Sequence, residues 1–231
     1  MSRNIEGAIG DKYEKFFPGD KSSRVEHGKK AEIQVGESFE NFAIETEEGT
    51  LFYLFSENEP QRGLHAEERV PEIKITEAEK DRMGGGDFEF LIGNTKIHID
   101  VTTDGINYAR SLKTFEQQCR DNREYEVQSI PTIPVHVPHE LIPNKRDSKE
   151  KIQMKQTELV LYILRSIFEE IKNQEEKGNL FNVNSEAIAK TFTNCLESFN
   201  VKKETELLLL EIIGFAYLAE KAKYKKGRKA A

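Results

Sequence analysis

The sequence predicts an α/β core followed by an α-helical C-terminal region. Three observations support this prediction. The apolar periodicity of residues 28–138 gives the order helix, strand, strand, strand, helix, strand. Turn-forming residues separate these elements. Beyond Pro143–Ser148 the composition changes, and three helical patterns follow without a clear strand.

The N-terminal part of the core begins with a helix and a strand. Four apolar residues recur at helical spacing after Gly28: Ala31, Val35, Phe39 and Phe42. Residues 1–26 are expected to be poorly structured or to form a short amphipathic arm. The segment "TLFYLF", residues 50–55, predicts the first strand of the sheet.

A polar, acidic connection occupies residues 56–83 and is predicted to be an insertion in the core. Connections of this length that lack secondary structure are usually functional or mobile. Its segment "PEIKIT" has the composition of a short strand.

The segment "GGGDFEFLIGNTKIHIDVTTDG", residues 84–105, predicts a hairpin that turns at Gly93-Asn94. Asp87 opens its first strand, and Asp100 lies near the end of its second strand. Because antiparallel neighbours run in opposite directions, both acids are expected at the same end of the hairpin.

A helix over 105–122 and a strand over 129–138 complete the predicted core. The prolines of that strand suit an edge position or the ends of the strand, since proline cannot donate to a β ladder. Three helices are then predicted over about 150–175, 184–199 and 202–226. The chain therefore divides into an α/β part, residues 1–147, and a helical part, residues 148–231, which can still pack as one unit.

Cysteine usage and the apolar runs restrict the class of protein. Cys119 and Cys195 are far apart and lie in apolar-periodic surroundings, which predicts buried free thiols in a reducing compartment. The most apolar run, residues 207–219, is shorter than the ~20 residues that span a bilayer. A soluble cytoplasmic protein is expected. The run should pack against the helix that holds Leu159 and Ile163, or else form a homodimer interface.

Three acids of the core form a recognisable set. Glu32 lies in "GKKAE" on the first helix, Asp87 in "GGGD" and Asp100 in "IDVT". Together with the order of the elements, this set resembles the PD-(D/E)XK nuclease superfamily over roughly residues 28–138. The resemblance implies a restriction-endonuclease-like core, a mixed sheet flanked by helices. It also implies Mg²⁺ or Mn²⁺ held by Glu32, Asp87, Asp100 and the carbonyl of Val101, and hydrolysis of phosphodiester bonds in nucleic acid, with DNA favoured.

The chemistry of such a set can be argued from the residues themselves. Phosphodiester cleavage needs a divalent cation to activate water and to offset charge on the phosphate. A hard cation of this kind prefers carboxylate oxygens together with water. On the first helix, Glu32 falls at the edge of the apolar stripe, where an acid can lean over the sheet.

The sequence departs from the superfamily pattern at Thr102, which stands where the motif normally has a lysine. A hydroxyl can hydrogen-bond a water but supplies no positive charge. Lys113, on the following helix, is a candidate for the missing cation. The alternative interpretation is a non-catalytic member of the fold that binds nucleic acid or assembles with proteins.

Charge is distributed unevenly along the chain. Residues 1–147 hold 19 basic and 29 acidic residues, a net charge of −10, whereas residues 148–231 hold 15 and 12, a net charge of +3. The basic tail is a candidate nucleic-acid contact through Lys225, Lys226, Arg228 and Lys229. A solvated helix end is the alternative interpretation of the same residues.

Overall fold

The computed structural model of the protein describes seven ranges of the chain: residues 5–55, 71–76, 86–92, 95–124, 132–144, 146–178 and 185–214. The helices are α1 (Ile5–Phe16), α2 (Ser23–Glu40), α3 (Gly105–Glu124), α4 (Lys149–Glu176), α5 (Ser185–Ser198) and α6 (Lys203–Ile212). The strands are β1 (Ala43–Glu45), β2 (Leu51–Tyr53), β3 (Glu72–Ile75), β4 (Phe88–Ile92), β5 (Thr95–Thr102) and β6 (Thr132–His136). The fold class is α/β, as predicted.

Four strands form one mixed sheet in the order β3-β4-β5-β6. The first three are antiparallel neighbours, while β6 runs parallel to β5. The hairpin of β4 and β5 and the edge position of β6 are as predicted. In the hairpin Phe88 pairs with Ile99, and Asp87, just before β4, donates its N–H to the Ile99 carbonyl at 2.7 Å.

Strands were predicted at residues 50–55 and in "PEIKIT", and both form, but the place of the first strand in the sheet was wrong. Residues 51–53 do not enter the main sheet but pair as β2 with β1 in a separate two-stranded sheet. The first strand of the main sheet is β3, within the segment predicted to be an insertion, and it pairs along its whole length with β4. Strands β2 and β3 are both short and both contain apolar residues. Which of them belongs to the main sheet is decided by the strand with which it pairs.

Alternation of side chains gives the main sheet one apolar face. Phe88 and Phe90 of β4 and Ile97 and Ile99 of β5 are buried on it. Helix α2 packs over this face, where the ring of Phe39 lies 6.3 Å from that of Phe90 between centroids. Packing against this apolar face thus sets the distance between the sheet and α2, and so positions the acid Glu32 on that helix.

Helix α1 packs closely against α2. A Cβ atom at Gly28 would come within 2.9 Å of the Tyr13 hydroxyl, and one at Gly36 within 2.9 Å of Ile5 Cγ2. Of the two predictions for residues 1–26, the amphipathic arm is therefore the one observed for α1. Helix α2 begins at Ser23, earlier than the predicted Gly28, and the Ser22 side chain caps it.

The helical part and the α/β part share one hydrophobic core. Leu159 and Ile163 of α4 belong to the same cluster of buried side chains as Ile133 of β6. Leu209 and Ile213 belong to it too, and Leu210 is buried, so these residues of the apolar 207–219 run pack inside the monomer while Leu208 is exposed. Residues 215–219 lie outside the described ranges. Within those ranges, no helix combines the length and apolarity needed to cross a bilayer.

Candidate active site

A cleft of about 1350 Å³ opens where α1, α2 and the loop after β5 meet the open end of the β4–β5 hairpin. Its wall includes all three predicted acids: Glu32, Asp87 and Asp100. Val101 and Thr102 lie on the same wall. One end of the sheet therefore brings together residues that are separated by up to 70 positions in the sequence.

Glu32 and Asp87 meet at a lysine that sequence analysis did not single out. The Nζ atom of Lys12, on α1, donates to Glu32 Oε2 at 2.9 Å and to Asp87 Oδ1 at 2.9 Å. The exposed fractions are 5% for Lys12, 6% for Glu32 and 7% for Asp87. These three residues, called here the Lys12 cluster, form an ammonium bridge between two buried carboxylates.

The outer oxygens of the two carboxylates are also held. The Tyr13 hydroxyl donates to Glu32 Oε1 at 2.5 Å, and the Val101 backbone N–H donates to Asp87 Oδ2 at 2.8 Å. Each carboxylate thus has one oxygen fixed by a neutral donor and the other facing the ammonium. Such two-sided anchoring is typical of preorganised polar sites.

Gly86, directly before Asp87, has a structural role. Gly86 has a φ of +70°, and a Cβ atom there would lie 2.5 Å from the carbonyl oxygen of Ile99. Its lack of a side chain lets the backbone approach β5, so that the Asp87 N–H donates to that same carbonyl at 2.7 Å. This contact places the Asp87 carboxylate beside the Val101 amide.

Burial controls the protonation of Glu32. Desolvation, followed by repulsion from Asp87, raises the pKa of the Glu32 carboxyl from 4.5 to about 8, although Lys12 and Tyr13 act in the opposite direction. The pKa of Glu32 therefore lies close to neutral pH. A divalent cation beside Glu32 would lower this pKa, because its positive charge favours the ionised carboxylate.

Asp100 lines the cleft but does not complete a three-acid group. It is half-buried on the cleft wall, on β5, where it pairs with Pro134 of β6. Across the residues that the structure describes, no three histidine, cysteine, aspartate or glutamate side chains are grouped so that they could hold a metal ion. In this conformation the Lys12 cluster pairs two acids with a lysine instead.

The structure explains the threonine in the last motif without giving it a role in chemistry. Thr102 Oγ1 accepts from the Asp104 N–H at 3.2 Å and donates to the Asp104 carbonyl at 3.3 Å. Asp104 Oδ1 in turn accepts from the Ile106 N–H at 2.8 Å. Both side chains therefore shape the turn that starts α3.

Lys113 does not face the cleft. It is exposed on α3, whereas Asn107 and Ser111 of the same helix line the cleft wall. Two residues beyond Ser111 correspond to a rotation of about 200° around a helix. The cation nearest to the buried acids is therefore Lys12, and the candidate basic tail, Lys225 to Lys229, lies outside the described residues.

A signal for Lys12 is present in the sequence. Ile5, Ile9, Lys12 and Phe16 recur at helical spacing, so the lysine falls in the middle of the apolar stripe of a short amphipathic helix. A charge at that position must either be exposed by the packing or find a buried partner. This argument requires residues 5–16 to be predicted as a helix, which was only one of the two predictions made for them.

The remaining wall of the cleft is both aromatic and acidic. Tyr13, Phe16 and Phe17 line one side, and the rings of Tyr13 and Phe17 lie 5.8 Å apart. Asp20 and Asp104 add further negative charge. Such a cleft attracts cations and offers rings for stacking.

Comparisons with protein-family models, with curated proteins and with solved structures find no match to this chain.

Proposed function

We propose that this chain is a divalent-metal-dependent nuclease with a PD-(D/E)XK-like core, and that DNA is its favoured substrate. The order of the elements supports the assignment: helix α2, the antiparallel strands β3 to β5, helix α3 and the parallel strand β6. This is the order that the resemblance implies, with β3 taking the place predicted for residues 50–55.

One observation carries the proposal. Glu32 and Asp87 are buried with one oxygen each directed at a common point, and Asp100 lines the same cleft. Burying two neighbouring carboxylates is unfavourable because both desolvation and mutual repulsion oppose their ionisation. An acid with a raised pKa that lies in a cleft, as Glu32 does, is typical of functional sites.

The donor atoms suit a hard divalent cation on one condition. Two carboxylate oxygens, Glu32 Oε2 and Asp87 Oδ1, already converge on a positive charge. Mg²⁺ and Mn²⁺ prefer such oxygen ligands. The condition is that the Lys12 ammonium withdraws, because it occupies the point at which the oxygens converge.

With the ammonium withdrawn, Glu32, Asp87 and Asp100 would hold the ion, together with the Val101 carbonyl. A bound divalent ion supplies a Lewis acid for the phosphate and lowers the pKa of water. The chain itself positions the acids through Tyr13 and the Val101 N–H. Phe16 and Phe17 offer apolar surface for a base or a sugar.

A non-catalytic nucleic-acid-binding or assembly module is the second candidate function. It is favoured by one feature of the site: the Lys12 ammonium already neutralises part of the charge that a metal would have to offset. The hydroxyl of Thr102 is also engaged in the turn before α3. In such a module the Lys12 cluster would be a fixed structural feature.

A cleavage assay separates the two functions. Single- and double-stranded DNA and RNA are incubated with the protein and Mg²⁺ or Mn²⁺, with EDTA as the control. The nuclease proposal requires metal-dependent cleavage that is abolished by Asp100→Ala. Binding of the same substrates without cleavage, in both metals, would favour the second candidate.

The basic tail is tested in the binding experiment. If it contacts phosphates, the affinity falls steeply with salt, and neutralising Lys225, Lys226, Arg228 and Lys229 weakens binding and lowers the salt dependence. Unchanged affinity after these substitutions would assign the tail to a solvated helix end.

A further inference from the structure

The packing of helix α1 against α2 determines the position of the Lys12 ammonium. Helix α1 is anchored by buried Ile5 and Ile9, and its close contact with α2 depends on glycine at positions 28 and 36. A lysine held by these contacts with 5% of its surface exposed differs from a surface lysine that happens to meet an acid.

All four oxygens of the two carboxylates have an assigned contact. Glu32 Oε1 faces the Tyr13 hydroxyl and Asp87 Oδ2 faces the Val101 N–H. The other two, Glu32 Oε2 and Asp87 Oδ1, both face the Lys12 ammonium at 2.9 Å. A divalent ion that used these carboxylates without breaking the outer contacts would need the same two inner oxygens.

The two cations cannot share that position. Carboxylate oxygens bind Mg²⁺ at about 2.0–2.1 Å, closer than they approach an ammonium. An ion at such distances from both inner oxygens would lie against the Lys12 nitrogen and repel it. One cation therefore has to leave before the other can enter.

We infer that the Lys12 ammonium and the divalent ion are alternative occupants of one site, so that ion binding expels Lys12 from between Glu32 and Asp87. The inference rests on the proposed function, since it concerns the metal of that same site. Lys12 is a positioning residue that keeps the two acids folded together while the ion is absent. While the ammonium is bound, the ion cannot enter. The apparent metal affinity is therefore the intrinsic affinity multiplied by the fraction of molecules in which the ammonium has withdrawn.

The direct test is chemical labelling of the unmodified protein. Lysines are acetylated with a limiting amount of an N-hydroxysuccinimide ester, with and without Mg²⁺, and the extent at each lysine is measured by peptide mass spectrometry. Lys12 should react slowly without Mg²⁺ and several-fold faster at saturating Mg²⁺. Lys15, which lies on the same helix and is exposed, is the matched control and should not change. Lys12 that stays protected while Mg²⁺ binds overturns the inference.

Mn²⁺ affinity gives a second measurement. Free Mn²⁺ is counted by electron paramagnetic resonance in titrations of the wild type, Lys12→Gln and Lys15→Gln. If the ammonium occupies the site in about nine molecules of ten, Lys12→Gln should bind Mn²⁺ about tenfold more tightly. Lys15→Gln should match the wild type. Equal or weaker binding by a folded Lys12→Gln protein contradicts the inference, and if that variant does not fold, the labelling experiment decides.

The outcomes separate this inference from the nuclease proposal. Metal-dependent cleavage with Lys12 still protected leaves the proposed function standing and removes the inference. Lys12 released by Mg²⁺ without cleavage of any nucleic acid does the reverse. Absence of Mg²⁺ and Mn²⁺ binding in every variant overturns both.

Discussion

Two regions of this protein bury charge, and they do so in different ways. Glu206 of α6, 2% exposed, is paired with Lys203, which lies three residues earlier on the same helix. The Lys12 cluster joins residues from three separate elements: α1, α2 and the start of β4. Of the four charged side chains that are buried in the described part of the chain, three belong to this cluster, so buried charge is concentrated at the cleft.

The difference indicates what each region is for. The Glu206 pair is local, and an acid in the first turn of a helix is also favoured by the helix dipole, so stability accounts for it. The Lys12 cluster could be replaced by apolar residues at little cost, since buried ion pairs seldom stabilise more than good packing. Its position in a cleft is consistent with the proposed chemical role.

The largest expected effect tests this contrast directly. Asp87→Asn should reduce metal-dependent cleavage by at least about 100-fold, because it removes a charged ligand from the proposed metal site. Glu206→Gln makes the same carboxylate-to-amide change at the other buried site and should leave cleavage unchanged. Rates are measured on one DNA substrate at saturating Mg²⁺, and comparable losses in both variants would end the distinction between the two regions.

The second effect is the pH dependence of stability in EDTA. The pKa of Glu32 is raised from 4.5 to about 8 by burial and by Asp87, so the folded protein holds this proton more tightly than the unfolded chain. The stabilisation is complete below about pH 4.5 and is lost as the pH rises toward 8. The free energy of unfolding should therefore fall by on the order of a few kcal/mol across this window.

Urea unfolding at several pH values measures this change, and Glu32→Gln provides the control. The variant cannot titrate at position 32, so its curve should be flatter than that of the wild type between pH 5 and 8. Parallel curves for the two proteins would mean that Glu32 is ionised over the whole range and that Lys12 alone balances the acids.

The third effect concerns the local pair. Glu206→Gln should lower the free energy of unfolding by about 1–2 kcal/mol. Lys203 can still donate a hydrogen bond to the amide oxygen, but that bond no longer joins two opposite charges. Lys203→Met should cost at least as much, since it leaves the buried Glu206 carboxylate without its ammonium. Urea unfolding gives both values, and stability equal to the wild type would assign the Glu206 pair no structural role.

Much of this architecture could be predicted from local patterns. The β4–β5 hairpin, the proline-bearing edge strand β6 and the buried thiols of Cys119 and Cys195 follow from alternation, turn chemistry and apolar periodicity. These features depend on residues that are close in sequence. The strand in "PEIKIT" was predicted, but its place in the main sheet was not, because that place depends on pairing with β4 across the 76–87 connection.

The site was only partly accessible to the same approach. Glu32, Asp87 and Asp100 could be selected because each has a fixed place relative to a predicted element. Lys12 could not be paired with them, since its contacts span 20 and 75 positions and depend on how α1 docks. Periodicity shows that a charge lies on an apolar stripe, but docking decides which partner it meets.

The smallest expected effect is at Lys113, and it compares two lysines rather than two acids. Lys113 was the sequence-based candidate for the missing motif cation, yet it is exposed, on the side of α3 away from the wall residue Ser111. Lys113→Ala should change the rate of cleavage less than about twofold, since an exposed charge outside the cleft is screened by solvent and salt. Lys12→Gln, in contrast, should alter the dependence of the rate on Mg²⁺ concentration, because it removes the competing ammonium. Cleavage rates over a Mg²⁺ titration compare both variants with the wild type. A severe loss in Lys113→Ala together with an unchanged Mg²⁺ dependence in Lys12→Gln would move the cationic role back to α3.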